Sequence, residues 1–372
     1  MTEPDMTERE VAWWLSVEPL GSDAVWALTR VADGRPPDGP LGAGLLPGIG
    51  FVKDMVVGAL PVKDAAPWRG ALVDRAAERE LARTVGRVLL PYELRKELLN
   101  APRGQRHTVS VAVRGWLAQV PWDALAIDDA GDRRLVECAT VVAGLPATLH
   151  VGRARLPDRG AASPVLRVVD PGPPEKERLL PGGTGRWENE LCLDGEYLEP
   201  LDDTFSRRDL GARLREHPAR LVYYGHAVPG ADEAPAAAGL LLSDRGGQPD
   251  VFTAFDWLAE PALYPAPPRV AVIACGSDDS TLFEQSGIPV AAINAGAELL
   301  TATRWILPVD QTLKGGCPTM ALGMAVDTAH AEADPLAAVR RWQIRRLQRW
   351  RDRGEVADTP LLWTSRSEVG DQ

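Results

Sequence analysis

Two segments with the same pattern, residues 220–230 (RLVYYGHAVPG) and 269–279 (RVAVIACGSDD), indicate the fold of this chain. Each is a run of β-forming apolar residues that ends at a small residue followed by one reactive side chain, His226 in the first and Cys275 in the second. Short apolar runs that alternate with helical patterns are typical of a parallel sheet covered by helices on both faces. We therefore predict an α/β fold with a mostly parallel sheet.

The flanking sequence supplies the expected alternation. Periodicity predicts helices at 206–218 and 287–297, a helix within 250–263 and a short one at 186–195, and it predicts strands at 165–169, 197–200 and 298–307. Asp334 and Pro335 then begin a long helix, as its N-cap and its first helical residue.

The first part of the chain is richer in strand patterns. Residues 72–99 have helical periodicity interrupted at Pro91, and strands are predicted at 23–31, 107–115, 116–128 and 133–144. The chain is therefore expected to divide into three regions. These are a region of unknown role (1–84), a leading β-containing part (85–155) and an α/β core (156–372).

The composition excludes several classes of function. A net charge of −11 argues against a general binder of nucleic acids or anionic membranes, since phosphate contacts need a basic surface. No apolar run approaches the roughly 18–20 residues that span a bilayer, and the acidic start lacks the basic region of a signal peptide, so we predict a cytoplasmic protein. The four cysteines form no CxxC pair and the five histidines no HxxxH pattern. We expect no disulfide framework, no metal site and no cofactor.

His226 and Cys275 are the candidate catalytic residues. Active sites of open parallel sheets gather at the carboxyl ends of the strands, where both residues are predicted to lie. A thiolate is a nucleophile, and a neighbouring imidazole can take its proton and later protonate a leaving amine. The backbone N–H groups of Ala227 and Gly276, beside the pair, are the candidate oxyanion hole. Taken singly, each side chain is more often structural, a small core cysteine or a satisfied polar histidine.

The separation of the pair favours a nucleophile of the caspase type. In caspases the histidine lies about 50 residues before a cysteine that follows an alanine. Here the separation is 49 residues and the cysteine lies in IACGS.

From about Leu90 onward, the order of motifs resembles the CHAT domain, a family in the caspase-like clan of cysteine peptidases that also contains separases. The segments similar to the family are VPWDALAIDDAGDRRLVE (120–137), RLVYYGHA (220–227), GLLLSD (239–244), VAVIACGS (270–277), AGAELLTATRWILPVD (295–310), AVRRWQIRRLQRW (338–350) and PLLWTS (360–365). They are similar, in that order, to the leading strands, the histidine strand and its loop, the cysteine strand, the following strand, and the closing helix and tryptophan segment.

The resemblance implies a cysteine endopeptidase in which His226 is the general acid/base and Cys275 the nucleophile. It also implies a protein or peptide substrate and a role in bacterial defence or signalling, with an activating sensor or partner protein. Arginine supplies 36 of the 41 basic residues, and alanine, glycine and proline are abundant, which is typical of a high-GC bacterial genome.

Two departures from the family pattern support an alternative, a catalytically inactive CHAT scaffold that binds a partner protein. Ala227 follows the histidine at a position where glycine is common in the family. The sequence GSDD, which begins at Gly276, follows the cysteine where the family often shows Glu-Thr-Gly. A third interpretation, a nucleotide-binding α/β protein, would need a phosphate loop. The glycines of residues 42–48 do not form one, because Pro47 interrupts them and the lysine is missing.

Asp278 and Asp279 are the candidate substrate-binding residues. They closely follow Cys275, and a carboxylate there could pair with an arginine or lysine of the substrate. The alternative is that they are solvated loop residues that cap the next helix.

The arginines of residues 340–353 also have two interpretations: they could bind an acidic partner, or they could form a solvated helix face paired within the protein.

Overall fold

A computed structural model of the chain describes residues 10–32, 41–61, 68–102, 105–145, 164–173, 176, 179–180, 197–198, 204–230, 235–274, 287–310, 313 and 317–370. Its strands are β1 (Glu10–Leu20), β2 (Asp23–Ala32), β3 (Gly42–Leu46), β4 (Arg106–Val113), β5 (Thr140–Ala143), β6 (Val165–Val169), β7 (Tyr197–Leu198), β8 (Arg220–Gly225), β9 (Ala227–Val228), β10 (Gly239–Ser243), β11 (Pro249–Thr253), β12 (Arg269–Ala274), β13 (Leu299–Thr303) and β14 (Arg366–Gly370).

The α-helices in these ranges are α1 (Gly50–Ala59), α2 (Arg75–Leu89), α3 (Tyr92–Asn100), α4 (Leu135–Cys138), α5 (Arg207–Leu214), α6 (Ala254–Ala259), α7 (Ile288–Asn294), α8 (Pro318–Ala331), α9 (Pro335–Arg353) and α10 (Pro360–Trp363). Among these described helices, none combines the length and the apolar character that a membrane span requires.

The larger sheet has six strands in the order β14-β13-β12-β8-β6-β7. All neighbouring strands in it are parallel except β14, which pairs antiparallel with β13. In β8, Leu221 and Tyr223 pack with residues of α5, α6 and α7, whereas Val222 and Tyr224 pack with residues of α8. Burial on both faces explains the continuous apolar run, and the predicted α/β fold is confirmed.

A second sheet has five strands in the order β3-β2-β1-β4-β5. Strand β1 pairs antiparallel with β2 and parallel with β4, so this sheet joins residues on both sides of position 84. Strand β1 was not predicted from the sequence. Its buried residues alternate as expected, but Ala12 and Trp14 put apolar side chains on the outer face too, which obscures the pattern. The division of the chain into three regions stays a prediction.

Residues 116–128 form no strand, contrary to prediction. The chain there makes two 3₁₀ turns, Gly115–Gln119 and Trp122–Ala124. Pro121 has no N–H to give to a sheet, and the indole N–H of Trp122 donates to the carbonyl of Leu117 at 3.0 Å. Residues 133–144 contain α4 before β5, so that prediction is right only for the second part. The helix predicted at 186–195 lies outside the described residues.

Helix α9 begins and ends as its sequence predicts. The Asp334 carboxylate accepts from the N–H of Ala337 at 2.9 Å, and Gly354 ends the helix at a φ of +68°. Its arginines pair within the protein: Arg346 with Asp358 at 2.7 Å and Arg351 with Glu137 at 2.7 Å. This supports the interpretation of the arginines as a face paired within the protein.

Helix α8 buries a histidine against the larger sheet. His330 is fully buried, and its Nε2 lies 2.8 Å from Oγ1 of Thr301. Burial, followed by the charges of Arg220, Arg269 and Arg366, lowers the pKa of His330 to about 3. The imidazole is therefore neutral in the folded protein at neutral pH.

Because α2 packs closely at Gly86, we predict that one added methyl group there has a large effect on the free energy of unfolding. A Cβ at Gly86 would overlap the backbone of Ala126, whereas a Cβ at Gly58, in α1, would meet nothing within 4 Å. We expect Gly86→Ala to lower the free energy of unfolding by about 1–3 kcal/mol and Gly58→Ala to leave it unchanged or raise it by about 0.5–1 kcal/mol. Urea denaturation of both variants measures this, and equal effects would contradict the packing described.

The buried His330 predicts a defined pH dependence of stability. The unfolded histidine titrates near 6.5 and the folded one near 3. Between these values the unfolded state binds about one more proton, so stability falls as the pH falls through this window. The slope of the free energy of unfolding against pH is proportional to the difference in bound protons between the unfolded and folded states. In His330→Gln we expect this difference to decrease by about one proton between pH 4 and 6. An unchanged slope in urea titrations would show that His330 is protonated in the folded state.

Candidate active site

Three neighbouring strands of the larger sheet end at the same edge. The parallel register pairs Gly225 of β8 with Ala274 of β12, and Tyr224 of β8 with Val169 of β6. The next residue in the chain after Gly225 is His226, and the next after Ala274 is Cys275. The two strands that precede the candidate catalytic residues are therefore adjacent and in register.

The structure describes two of the six predicted site residues. His226 and Ala227 are both half-buried, and Ala227 begins β9, where it pairs with Leu240. Cys275 and its neighbours Gly276, Asp278 and Asp279 lie outside the described residues. Among the residues described, no group of three or more His, Cys, Asp or Glu side chains is arranged to hold a metal ion.

The main chain at His226 is held by hydrogen bonds from two directions. The hydroxyl of Tyr223 lies 2.7 Å from the carbonyl oxygen of His226 and 2.8 Å from that of Leu241, within donating distance of both. The N–H of Leu241, in β10, donates to the same His226 carbonyl at 2.9 Å. Because Tyr223 is buried in the core, these bonds connect the position of His226 to the interior of the sheet.

Glycine at position 225 makes room for this tyrosine. A Cβ on Gly225 would lie 2.6 Å from the hydroxyl oxygen of Tyr223 and 2.7 Å from its Cζ. The Tyr223 ring thus occupies the space that a side chain at 225 would need, and this lets its hydroxyl reach past the end of β8 to His226.

The loop that follows β6 lies beside the imidazole. Asp170 has a φ of +52°, its N–H donates to the carbonyl of Tyr224 at 2.6 Å, and its carboxylate accepts from the N–H of Leu179 at 2.9 Å. A Cβ on Gly172 would lie 3.7 Å from Cδ2 of His226, so the loop reaches the edge of the ring. Asp170 was not predicted as a site residue from the sequence; its only signal was its place directly after a strand.

Thr303 holds the end of the strand that precedes Cys275. Its buried hydroxyl accepts from the N–H of Ala274 at 3.1 Å and donates to the carbonyl of the same residue. The last residue of β12 is therefore bound to β13 through a side chain where the regular pairing of these strands, last seen at Val272 and Ala302, has ended.

A small cavity lies next to these strand ends. Its cavity volume is about 10 Å³, and its lining includes Gly225, Ala274, Leu179, Asp310 and Thr319. The Asp310 carboxylate accepts from the N–H of Thr319 at 2.7 Å, which explains why an acid is buried here: it caps the first turn of α8. The rest of the lining is mainly apolar.

One of the two described cysteines, Cys138, differs from an activated nucleophile. Cys138 and Cys317 are both half-buried. Burial raises the pKa of the Cys138 thiol, which lowers its thiolate fraction at neutral pH.

Comparison with known proteins now identifies the family. A model of the CHAT domain matches residues 79–371 of the chain. The chain belongs to the CHAT domain family. No curated protein gives a significant match to it. The predicted family is confirmed, and the match begins slightly before the point from which the motifs resemble it.

One solved structure supports the fold of this CHAT domain. A chain of the Saccharomyces cerevisiae separase–securin complex at 3.0 Å aligns with 97% of this chain and 30% of its own length, with 8% identity and a TM-score of 0.52. A second structure of the complex, at 2.6 Å, aligns with 71% of this chain and 16% of its own, with 11% identity and a TM-score of 0.37. The first alignment shows the caspase-like fold of separase. This CHAT-domain chain spans less than a third of its relative.

The bonds from Thr303 predict a measurable role in holding β12. In Thr303→Val the hydroxyl is lost and the Ala274 N–H loses its acceptor, so we expect the free energy of unfolding to fall by about 1–3 kcal/mol. Thr303→Ser keeps the hydroxyl and loses one methyl group, with an expected cost of about 0.8 kcal/mol or less. Chemical denaturation of both variants tests this; a serine variant as unstable as the valine variant would show that packing dominates.

Proposed function

We propose that this CHAT-domain protein is a cysteine endopeptidase with Cys275 as nucleophile and His226 as general acid/base. One observation carries the proposal: the parallel register places Gly225 opposite Ala274, directly before the two residues. Neighbouring strands are roughly 4.8 Å apart, and each residue adds about 3.8 Å between Cα atoms at most. A thiol and an imidazole that leave two such strand ends can reach each other.

The proposed reaction runs in two steps. The Cys275 thiol gives its proton to His226, and the thiolate sulfur bonds to the carbonyl carbon of the substrate, which forms a tetrahedral oxyanion. The carbon–nitrogen bond then breaks as the imidazolium protonates the leaving amine, and a thioester remains on Cys275. Water, deprotonated by His226, attacks the thioester carbon, and the sulfur leaves with a proton from the imidazolium.

The surroundings of His226 suit this role. Its carbonyl is held by Tyr223 and Leu241, so the backbone from which the imidazole projects has a defined position. We propose that the N–H groups of Ala227 and Gly276 stabilise the oxyanion, since backbone donors next to the reacting carbon need no reorganisation during the reaction. The methyl group of Ala227 leaves its N–H in place.

The substrate is proposed to be a protein or peptide, with Asp278 and Asp279 pairing with an arginine or lysine before the cleaved bond. We propose a cytoplasmic role in bacterial defence or signalling, with activation by a sensor or partner protein. Support for a protein partner comes from the structural relative, which was crystallised in a complex of separase with securin.

Proteolysis tests the proposal directly. Purified wild type, Cys275→Ala and His226→Ala would each be incubated with a diverse peptide library, and the new termini read by mass spectrometry. We expect cuts by the wild type that Cys275→Ala does not make, and a decrease of about a hundredfold to ten-thousandfold in rate for His226→Ala. Arg or Lys before the cut would support the role of Asp278 and Asp279, and other residues there would contradict it.

Alkylation of the thiols provides a control that is independent of substrate. Iodoacetamide labelling against pH, read by peptide mass spectrometry, should show Cys275 reacting faster than Cys138, and His226→Ala should remove the difference. Cys138→Ala should leave proteolysis unchanged. Fast alkylation without cuts would indicate a peptidase that awaits its partner. Slow alkylation without cuts would overturn the peptidase and favour the inactive scaffold.

A further inference from the structure

A polar cleft lies away from the candidate active site, between three elements that are distant in sequence. It is formed by the first turn of α2, the loop before α4 and the C-terminal end of α9. Its cavity volume is about 460 Å³ and it is open to solvent. None of its lining residues belongs to the candidate active site or to the contacts that hold His226.

The cleft is basic although the protein is acidic. Four arginines and two acids line it: Arg75, Arg79, Arg134, Arg351, Glu78 and Asp132. With Glu137, which pairs with Arg351 at 2.7 Å, these charges sum to about +1 at neutral pH, whereas the whole chain has a net charge of −11. A local excess of arginine in an acidic protein favours an anionic ligand at this place.

Two charged side chains at the cleft are buried and incompletely bonded. Glu78 and Arg134 are 2% and 3% exposed and form an ion pair at 3.1 Å. Among the described contacts, Oε1 of Glu78 and Nε of Arg134 have no hydrogen-bond partner, although the indole N–H of Trp350 lies 3.4 Å from the other carboxylate oxygen of Glu78. Buried polar atoms are rarely left without a partner, so a ligand with a hydrogen-bond donor for Glu78 would complete the arrangement.

The exposed arginines have donors to spare. Arg79 forms an ion pair with Asp132 at 2.6 Å and donates to the carbonyl of Ala130 at 3.1 Å, through the same terminal nitrogen. Arg75 donates to the carbonyl of Arg351. Each guanidinium has five N–H donors in a planar fork that matches phosphate oxygens, so both can bind an anion without giving up these contacts.

We propose that this cleft binds a small phosphorylated molecule with hydroxyl groups, such as a nucleotide or a sugar phosphate. Arg75 and Arg79 bind the phosphate, and a hydroxyl donates to Glu78. A multiply charged phosphate fits the local excess of positive charge, and the cavity volume of about 460 Å³ lies in the range of small-molecule sites, roughly 300–1,000 Å³. The site does not depend on the proposed peptidase activity.

Calorimetric titration of the full chain at physiological ionic strength tests this. The probes are ATP, inorganic pyrophosphate, citrate as a carboxylate anion and adenosine as an uncharged hydroxyl compound. We expect saturable binding of ATP and pyrophosphate, tighter for ATP, and no saturable binding of citrate or adenosine. In Arg75→Ala/Arg79→Ala we expect the Kd for ATP to rise by about tenfold or more.

The matched control removes two arginines elsewhere. Arg87→Ala/Arg213→Ala makes the same change in net charge outside the cleft, and should change the Kd for ATP by less than about twofold. Circular dichroism without ligand checks that both double variants are folded, and Cys275→Ala should bind ATP like the wild type. The proposal is overturned by absent saturable binding of ATP and pyrophosphate to the wild type, by equal weakening in the two double variants, or by citrate binding as tightly as pyrophosphate.

Discussion

The parallel pairing of β8 with β12, in the register that sets Gly225 opposite Ala274, is the constraint on which the candidate site depends. Both strands are covered by helices on both faces, so their interior positions are occupied by core side chains. A reactive side chain can meet solvent only where the strands end. A shift of one residue in this register would move every core side chain of one strand to the opposite face, so the core that stabilises the sheet also sets the alignment of its ends.

Local sequence patterns predicted the central sheet well because its strands are buried on both faces. Continuous apolar runs mark β8, β12 and β13, and Asp334 and Pro335 mark the start of α9. Strand β1 was missed because tryptophan and alanine on its outer face hide the alternation.

The contacts that hold the candidate site could not be predicted from the sequence. Tyr223 reaches Leu241, 18 residues away, and Thr303 reaches Ala274, 29 residues away. Bonds of this kind depend on which strands become neighbours, and local periodicity has no information about that. His226 was identified because it directly follows a recognisable strand; Asp170 follows one too, but its role depends on the fold of the loop after it.

The five-stranded sheet and the larger sheet share part of their packing. Trp305, which follows β13, is buried with the core of the five-stranded sheet, and its indole N–H donates to the carbonyl of Leu361 at 3.1 Å. Arg304, the residue before Trp305, donates to the carbonyl of Val120 at 3.1 Å. The segment after β13 therefore contacts the part of the chain that precedes the histidine strand.

The sharing of space between Tyr223 and Gly225 restricts how this protein can evolve. A larger residue at 225 first requires a smaller one at 223, but a smaller residue at 223 gives up the hydroxyl that holds the carbonyl of His226. A change at either position alone therefore costs either the close packing at Gly225 or the hydrogen bond to His226.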